Sequence, residues 1–382
     1  MRRSAQVVIA ATVFVDLLGF TVILPGLPFF AARLGAGGAA FGLVMSAYSI
    51  AQFVCAPLLG RLSDRYGRRR LVLLTLAGSA LSLALTGAAE SLGWLLACRV
   101  LAGACGGSIS VAHAYLADAV PPERRTGAMA QLGAAIGLAF VIGPALGALL
   151  APWGFAASAY AAAGLAAVNL VAAWLWLPEP ARSRPSAAVA GVVGRLPVLV
   201  PLAAAGFLAM AAFVGMETTL ALLGEARHGW DTATIGVVLT LAGLSMAAVQ
   251  AGLVAWLSRR WGEVRVAAAG AVLMAACLPV IPLTPGWWPV AAVCLLSAGH
   301  GLLTPTVASL FAAAGPADRR GARLGVGQSA AAGGRIFGPA AAGLLFDLGA
   351  VLPYLAGAVM AGLAVVAVLA LRAVRDRVEE SA

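Results

Sequence analysis

Long apolar runs alternate with short polar breaks along the whole chain. The runs fall at about 7–30, 41–60, 71–89, 94–117, 127–150, 156–177, 198–223, 233–257, 266–284, 288–314, 324–346 and 352–371. Each reaches the roughly 20 residues that a helix needs to cross the hydrocarbon core of a bilayer. The pattern predicts an all-α integral membrane protein of twelve transmembrane helices, because lipid leaves a spanning backbone no partner but itself. The first run is longer than the apolar core of a signal peptide and meets no small-residue cleavage site, so it is read as the first helix.

The longest polar stretch, residues 178–197, is rich in Pro, Ser and Arg and divides the chain almost in half. It reads as a cytoplasmic linker between six-helix bundles at 1–177 and 198–382, the second ending in a short tail. One fixed offset lays Leu62-Ser63, Arg65 and Gly67 on Leu257-Ser258, Arg260 and Gly262. The same offset lays Arg124-Arg125 on Arg319-Arg320 and Gly143-Pro144 on Gly338-Pro339. Three matches at one offset indicate a duplicated unit. Duplicated six-helix halves that rock about a midplane site are one recurring plan for alternating access.

Composition closes the soluble alternative. Hydrophobic residues make up 62% of the 382 and charged ones 10%, against about 25% charged in an ordinary soluble domain. The net charge of +10 sits in short clusters between apolar runs rather than on one polar face, so nucleic acid is not the expected partner. The clusters set orientation instead. With both termini cytoplasmic, Arg33 and Arg227 fall in outer segments and Arg99 and Arg335 inside spans; every other one of the 25 basic residues lies on the inner side. The expected location is the cell's inner, cytoplasmic membrane. Cys55, Cys98, Cys105, Cys277 and Cys294 all lie in apolar stretches without ligand spacing, which implies neither disulfides nor a metal.

Between the second and third runs stands Gly60-Arg61-Leu62-Ser63-Asp64-Arg65-Tyr66-Gly67-Arg68-Arg69-Arg70. Glycine suits a turn this tight, and Asp64 can accept hydrogen bonds from free amides at a neighbouring helix start. A plain positive-inside turn with a local Asp cap is the bland alternative. The loop resembles the G-x-x-x-D-R-x-G-R-R loop of the major facilitator superfamily, where it latches the two halves in the outward-open state. The resemblance implies that role for Gly60, Asp64, Arg65, Gly67 and Arg68, with Asp118 at the end of the fourth helix pairing with the loop arginines, Arg68 by motif position. The second-half copy has Arg259 where Asp64 stands, so no latch is carried over there.

Three further segments resemble the same superfamily. Arg99 to Gly103 is similar to its R-x-x-x-G signature, in which the arginine is linked to proton coupling; an intramembrane arginine normally faces protein or a wet cavity, though Arg99 could snorkel outward. Gly137 and Gly143-Pro144-Ala145-Leu146-Gly147 resemble the G-P-x-x-G motif of its antiporter branch; small residues allow close helix approach and proline a kink. The first helix, from Asp16 to Pro28, resembles the opening helix of tetracycline and multidrug efflux proteins in the drug:proton antiporter group.

Charged groups inside spans are the candidate chemistry. Asp16 and Glu217 can take up and release protons or meet a cationic substrate; a protonated structural Asp and an interfacial Glu are the alternatives. Arg335 is a further buried cation whose partner stays open. His113 and His300 are read as structural hydrogen bonders or proton carriers, and Gln52, Asn169, Gln250 and Gln328 as cavity lining or helix glue. The whole resemblance implies a proton-driven exporter of a small hydrophobic or cationic drug or metabolite, acting as a monomer with no cofactor beyond the proton gradient. Asp16, Arg99, Glu217 and Arg335 would couple protons to substrate. Proton-linked uptake of a nutrient such as a sugar is the second transport reading. No Walker-type loop and no clustered catalytic groups occur, so neither ATP hydrolysis nor an enzyme is expected.

Overall fold

The structure, a computed structural model, describes residues 2–120, 122–179, 196–315 and 319–380. These are almost wholly helical, with no strand among the described residues. The helices are α1 (Arg2–Val22), α2 (Leu27–Arg33), α3 (Gly38–Tyr66), α4 (Arg68–Gly87), α5 (Leu92–Cys105), α6 (Ser108–Ala119), α7 (Pro122–Leu150), α8 (Gly154–Trp176) and α9 (Leu196–His228). They continue with α10 (Thr232–Ala248), α11 (Val254–Trp261), α12 (Glu263–Leu283), α13 (Trp288–Ala313), α14 (Arg320–Leu348) and α15 (Leu352–Glu380).

Three apolar runs are not single rods. Pro25 and Gly26 separate α1 from α2, which meet at 41°. Gly106 and Gly107 divide the fourth run into α5 and α6, where the sequence predicts one helix. A π-helical turn, Val249–Leu253, joins α10 to α11. Taking each pair as one pass, helix order gives twelve. By length and hydropathy alone, eight stretches of the described chain qualify, or nine with the bent first pair. One of these, Gly127–Trp176, contains both α7 and α8, while α14 is diluted by Arg320, Arg323, Arg335 and Asp347.

Packing follows from the lipid solvent. Large apolar side chains such as Trp176, Trp287 and Leu348 point outward, while Ala159, Ala162 and Ala166 of α8 are fully buried. Small residues let helices approach where no hydrophobic effect separates protein from tail. Two buried hydroxyls return to their own helix: Thr86 donates to the Ser82 carbonyl at 2.7 Å and Thr306 to the Leu302 carbonyl at 2.7 Å. Asn169 donates to the Thr12 carbonyl at 2.8 Å and so ties α8 to α1, whereas Gln250 and Gln328 lie on exposed faces.

The chain forms two compact units. Unit 1 comprises Met1–Ala36, Ala47–Ser186 and Trp230–Thr240; unit 2 comprises Gly37–Ser46, Ala187–Gly229 and Leu241–Ala382. The first turns of α3 and of α10 therefore each cluster with the opposite half of the sequence. Within unit 1, α7 packs on α1 and α8 on α4; within unit 2, α14 packs on α9 and α15 on α12. These are equivalent pairs under the sequence repeat, as duplication requires. In unit 2 the Arg323 side chain is fully buried and donates to the Phe311, Ala312 and Gly315 carbonyls at 2.8–2.9 Å, closing the end of α13.

The start of α10 is held by Asp231, which accepts from the Thr234 amide at 2.8 Å and from its hydroxyl at 2.7 Å. These hydrogen bonds, the side-chain one foremost, hold its carboxyl below the ordinary value of 3.8. A depressed carboxyl contributes stability above its unfolded pKa and loses it as pH falls through the folded value. Asp231→Ala is expected to lower stability by about 1 kcal/mol at neutral pH, and the difference should shrink as an acid pH below 3.8 is reached. Thermal unfolding at both pH values checks this; an unchanged difference at low pH would contradict it.

Candidate functional site

The candidate site lies inside unit 1, where α1, α3, α4, α5 and α6 surround a small, partly open cavity of about 30 Å³. Asp16, Leu17 and Phe20 come from α1, Tyr48 and Gln52 from α3, and Ser79, Ser82 and Leu83 from α4. Arg99, Ala102, Gly106 and Ile109 complete the lining. Asp16 and Phe20 are four residues apart, as are Tyr48 and Gln52, so each pair shares a helix face.

Arg99 is almost completely buried. Its guanidinium carbon lies 5.7 Å from the centroid of Phe20 and 5.7 Å from that of Tyr48. The two rings stack on each other at 4.9 Å. The π faces supply the negative field that lipid cannot, at roughly 0.5–2 kcal/mol for each ring, and the Nε of Arg99 makes no hydrogen bond. The snorkelling alternative is thus excluded for this side chain. Gly103 explains the R-x-x-x-G spacing: a Cβ there would overlap the Tyr48 carbonyl, so only glycine lets α5 close on α3. The α5–α6 break serves the same cavity, since Gln52 donates to the Gly106 carbonyl at 2.7 Å.

Asp16 lines the cavity with Arg99 and is itself buried. Glu217 and Arg335 do not join them. Both belong to unit 2, each half-buried, on α9 and α14. One turn before Glu217, Phe213 stacks on His300 of α13 at 4.2 Å and 11°. The Nε2 of His300 lies 3.2 Å from the Thr304 hydroxyl, while its Nδ1 is buried without a partner. His113 is exposed, with Nδ1 2.9 Å from the Ile109 carbonyl.

The loop between α3 and α4 makes its own set of contacts. Gly67 turns the chain at φ +104°, where side chains other than hydrogen are strained. The first amides of α4 then point at Glu179, which accepts from Arg68 at 2.7 Å and Arg69 at 3.2 Å. Glu179 is the acceptor at this helix start, and its carboxylate also lies against Gly67. Asp64 pairs with Arg68 of its own loop at 2.6 Å, and Arg68 also donates to Ser63 at 2.7 Å. Arg65 lies 5.4 Å over the Tyr66 ring, and Gly60 has open space around it. The side chain of Asp118 lies outside the described residues. Tyr115 of α6 donates to the Pro178 carbonyl at 2.6 Å, further securing the segment that carries Glu179.

Of the small residues on α7, Gly143 packs against Thr21 and Gly147 against the Val22 carbonyl and Pro25, so α7 meets α1 backbone to backbone just beyond Phe20. The Pro144 carbonyl faces Gly236 of α10 at 2.7 Å from where its Cβ would stand. A Cβ on Gly137 would meet no neighbouring atom within 4 Å.

The family model described as Major Facilitator Superfamily matches residues 9–321 and 226–382. Major facilitator superfamily domain-containing protein 10 of Homo sapiens is 31% identical over 414 residues, covering 91% of this chain and 88% of that one. Tetracycline resistance protein, class D, of Salmonella ordonez is 30% identical over 339 residues, covering 85% of each. Among solved structures, the crystal structure of the human organic anion transporter MFSD10 (TETRAN) superposes with a TM-score of 0.71 at 28% identity, covering 97% of this chain and 99% of that one.

Proposed function

The chain belongs to the Major Facilitator Superfamily, and from that premise we propose that it is a proton-coupled exporter of small organic compounds that works by alternating access. It sits in the inner membrane with both termini cytoplasmic. The observation that carries the reading is the unit 1 cavity, which places a buried carboxylate, Asp16, and a buried cation, Arg99, on one lining with stacked aromatic rings. Such a site can hold a proton as it stands and, once the access change widens it, a substrate in turn: substrate binding favours deprotonation of Asp16, and protonation favours release. The relative named for tetracycline resistance supports export.

On substrate charge, Arg99 favours a second reading, an organic anion held against the guanidinium. The similarity to a structure titled an organic anion transporter supports that class. The test is accumulation of tetracycline, ethidium and fluorescein in cells expressing the wild type or Asp16→Asn, with and without a protonophore. Wild type should lower accumulation of at least one probe, and both the protonophore and the substitution should restore it. Lowered accumulation that survives both treatments would contradict proton coupling through Asp16, and raised accumulation would replace export by uptake.

A further inference from the structure

We infer that the exposed face of α11, in unit 2, binds the phosphate headgroup of an anionic phospholipid. That face starts at the end of the π-helical turn and carries Leu253, Trp256, Arg259 and Arg260, three or four residues apart and all exposed. Over about 10 Å of helix axis it passes from aliphatic to aromatic to cationic. Acyl chain, interfacial region and headgroup follow one another in the same order across a leaflet. The inner side of α11 is anchored, because Leu257 is buried against Val266 of α12 and Leu302 of α13. The guanidinium of Arg260 lies 5.4 Å over the Trp256 ring. It makes no hydrogen bond or ion pair among the described residues, so its fork of N–H donors is open to a phosphate.

The duplicated loop supplies the comparison. At the end of α3, Asp64 pairs with Arg68 and Glu179 caps α4, so the first copy answers its own charge. In the second copy Arg259 stands where Asp64 does, and Glu263 where Arg68 does. The reversed pair does not form: Glu263 instead accepts from the Ser309 hydroxyl of α13. Arg259, Arg260 and Arg265 are left exposed, with no carboxylate partner among the described residues. Like charges this close repel one another, and an anion from outside the chain relieves the repulsion. A lipid fits better than a free phosphate, since its acyl chains also cover Leu253 and Trp256.

The test places the full chain in nanodiscs of mixed lipid and measures quenching of tryptophan fluorescence by brominated phosphatidylglycerol or brominated phosphatidylcholine. Each protein is compared with its own Trp256→Phe partner, so that the signal read belongs to Trp256. The wild type is expected to prefer phosphatidylglycerol on the order of tenfold, and the preference should disappear when Arg259→Gln and Arg260→Gln are combined. Arg259→Lys combined with Arg260→Lys should keep a weaker preference, having the charge without the planar fork. Inorganic phosphate should lower the preference no more than sodium chloride of equal ionic strength does. Equal quenching by the two lipids in wild type, or a preference that survives the Gln pair, would overturn the inference. Equal loss in the Gln and Lys pairs would assign the arginines to packing, and displacement by phosphate beyond matched salt would replace the lipid by a free anion.

Discussion

Arg99→Leu is expected to lower transport at least about 100-fold while leaving the fold intact or more stable. Two opposed effects act on the arginine. Taking a guanidinium out of water costs several kcal/mol, and the Phe20 and Tyr48 rings at 5.7 Å return roughly 0.5–2 kcal/mol each. The balance for folding is near zero or unfavourable, so an apolar replacement of similar reach is expected to be neutral or to stabilise by about 1–4 kcal/mol. Transport is another matter, because a fixed charge at a reacting or binding centre is commonly worth about 3 kcal/mol. Arg99→Lys should fall between, retaining charge but losing the planar guanidinium that faces the stacked pair. Thermal unfolding and probe efflux, measured together, check the pair. Normal efflux by Arg99→Leu, or equal loss of folded protein in both variants, would assign Arg99 a structural role.

Gly143→Val should be among the most damaging single changes in unit 1. Any side chain at this position overlaps the Oγ1 and Cβ of Thr21. The same hydroxyl donates to the Ala139 carbonyl at 3.0 Å and lies 2.9 Å from the Leu17 carbonyl, so it cannot rotate away without losing the link between helices. Overpacking costs about 1–3 kcal/mol and the lost hydrogen bond about 1 kcal/mol more. Thr21 follows Phe20 directly, so a displaced α1 also disturbs the rings beneath Arg99. Gly137→Val, two turns earlier in open space, is expected to change stability by less than about 0.5 kcal/mol. Unfolding temperatures in detergent separate the two; similar effects at both positions would show that the α1–α7 contact is looser than its geometry implies.

The membrane fold was legible because lipid imposes a length and a polarity on every pass, and both are properties of contiguous sequence. Asp16 and Arg99 stood out for the same reason, as charges inside apolar runs. Their shared cavity did not, since Phe20 and Tyr48 belong to a residue class that faces lipid as readily as protein. Gln52 was readable only as one of several polar candidates, and its partner, the Gly106 carbonyl, exists because two glycines break a helix that hydropathy alone continues. The cap by Glu179 was hidden more deeply. It joins a helix start to a carboxylate more than 100 residues away, and no local spacing records such a pair. Glu217 and Arg335 resembled Asp16 and Arg99 in sequence but belong to the other unit, a separation that follows from tertiary packing.

The central claim is that substrate and protons exchange through Asp16, and counterflow in proteoliposomes tests it most directly. Purified protein is reconstituted with a pH-sensitive dye inside the vesicles, and a gradient of a probe that the cells export is imposed. The account predicts proton movement opposite to the probe in wild type, with both fluxes coupled and the proton flux absent in Asp16→Asn. Probe movement in wild type without proton flux, or full coupling in Asp16→Asn, would contradict it.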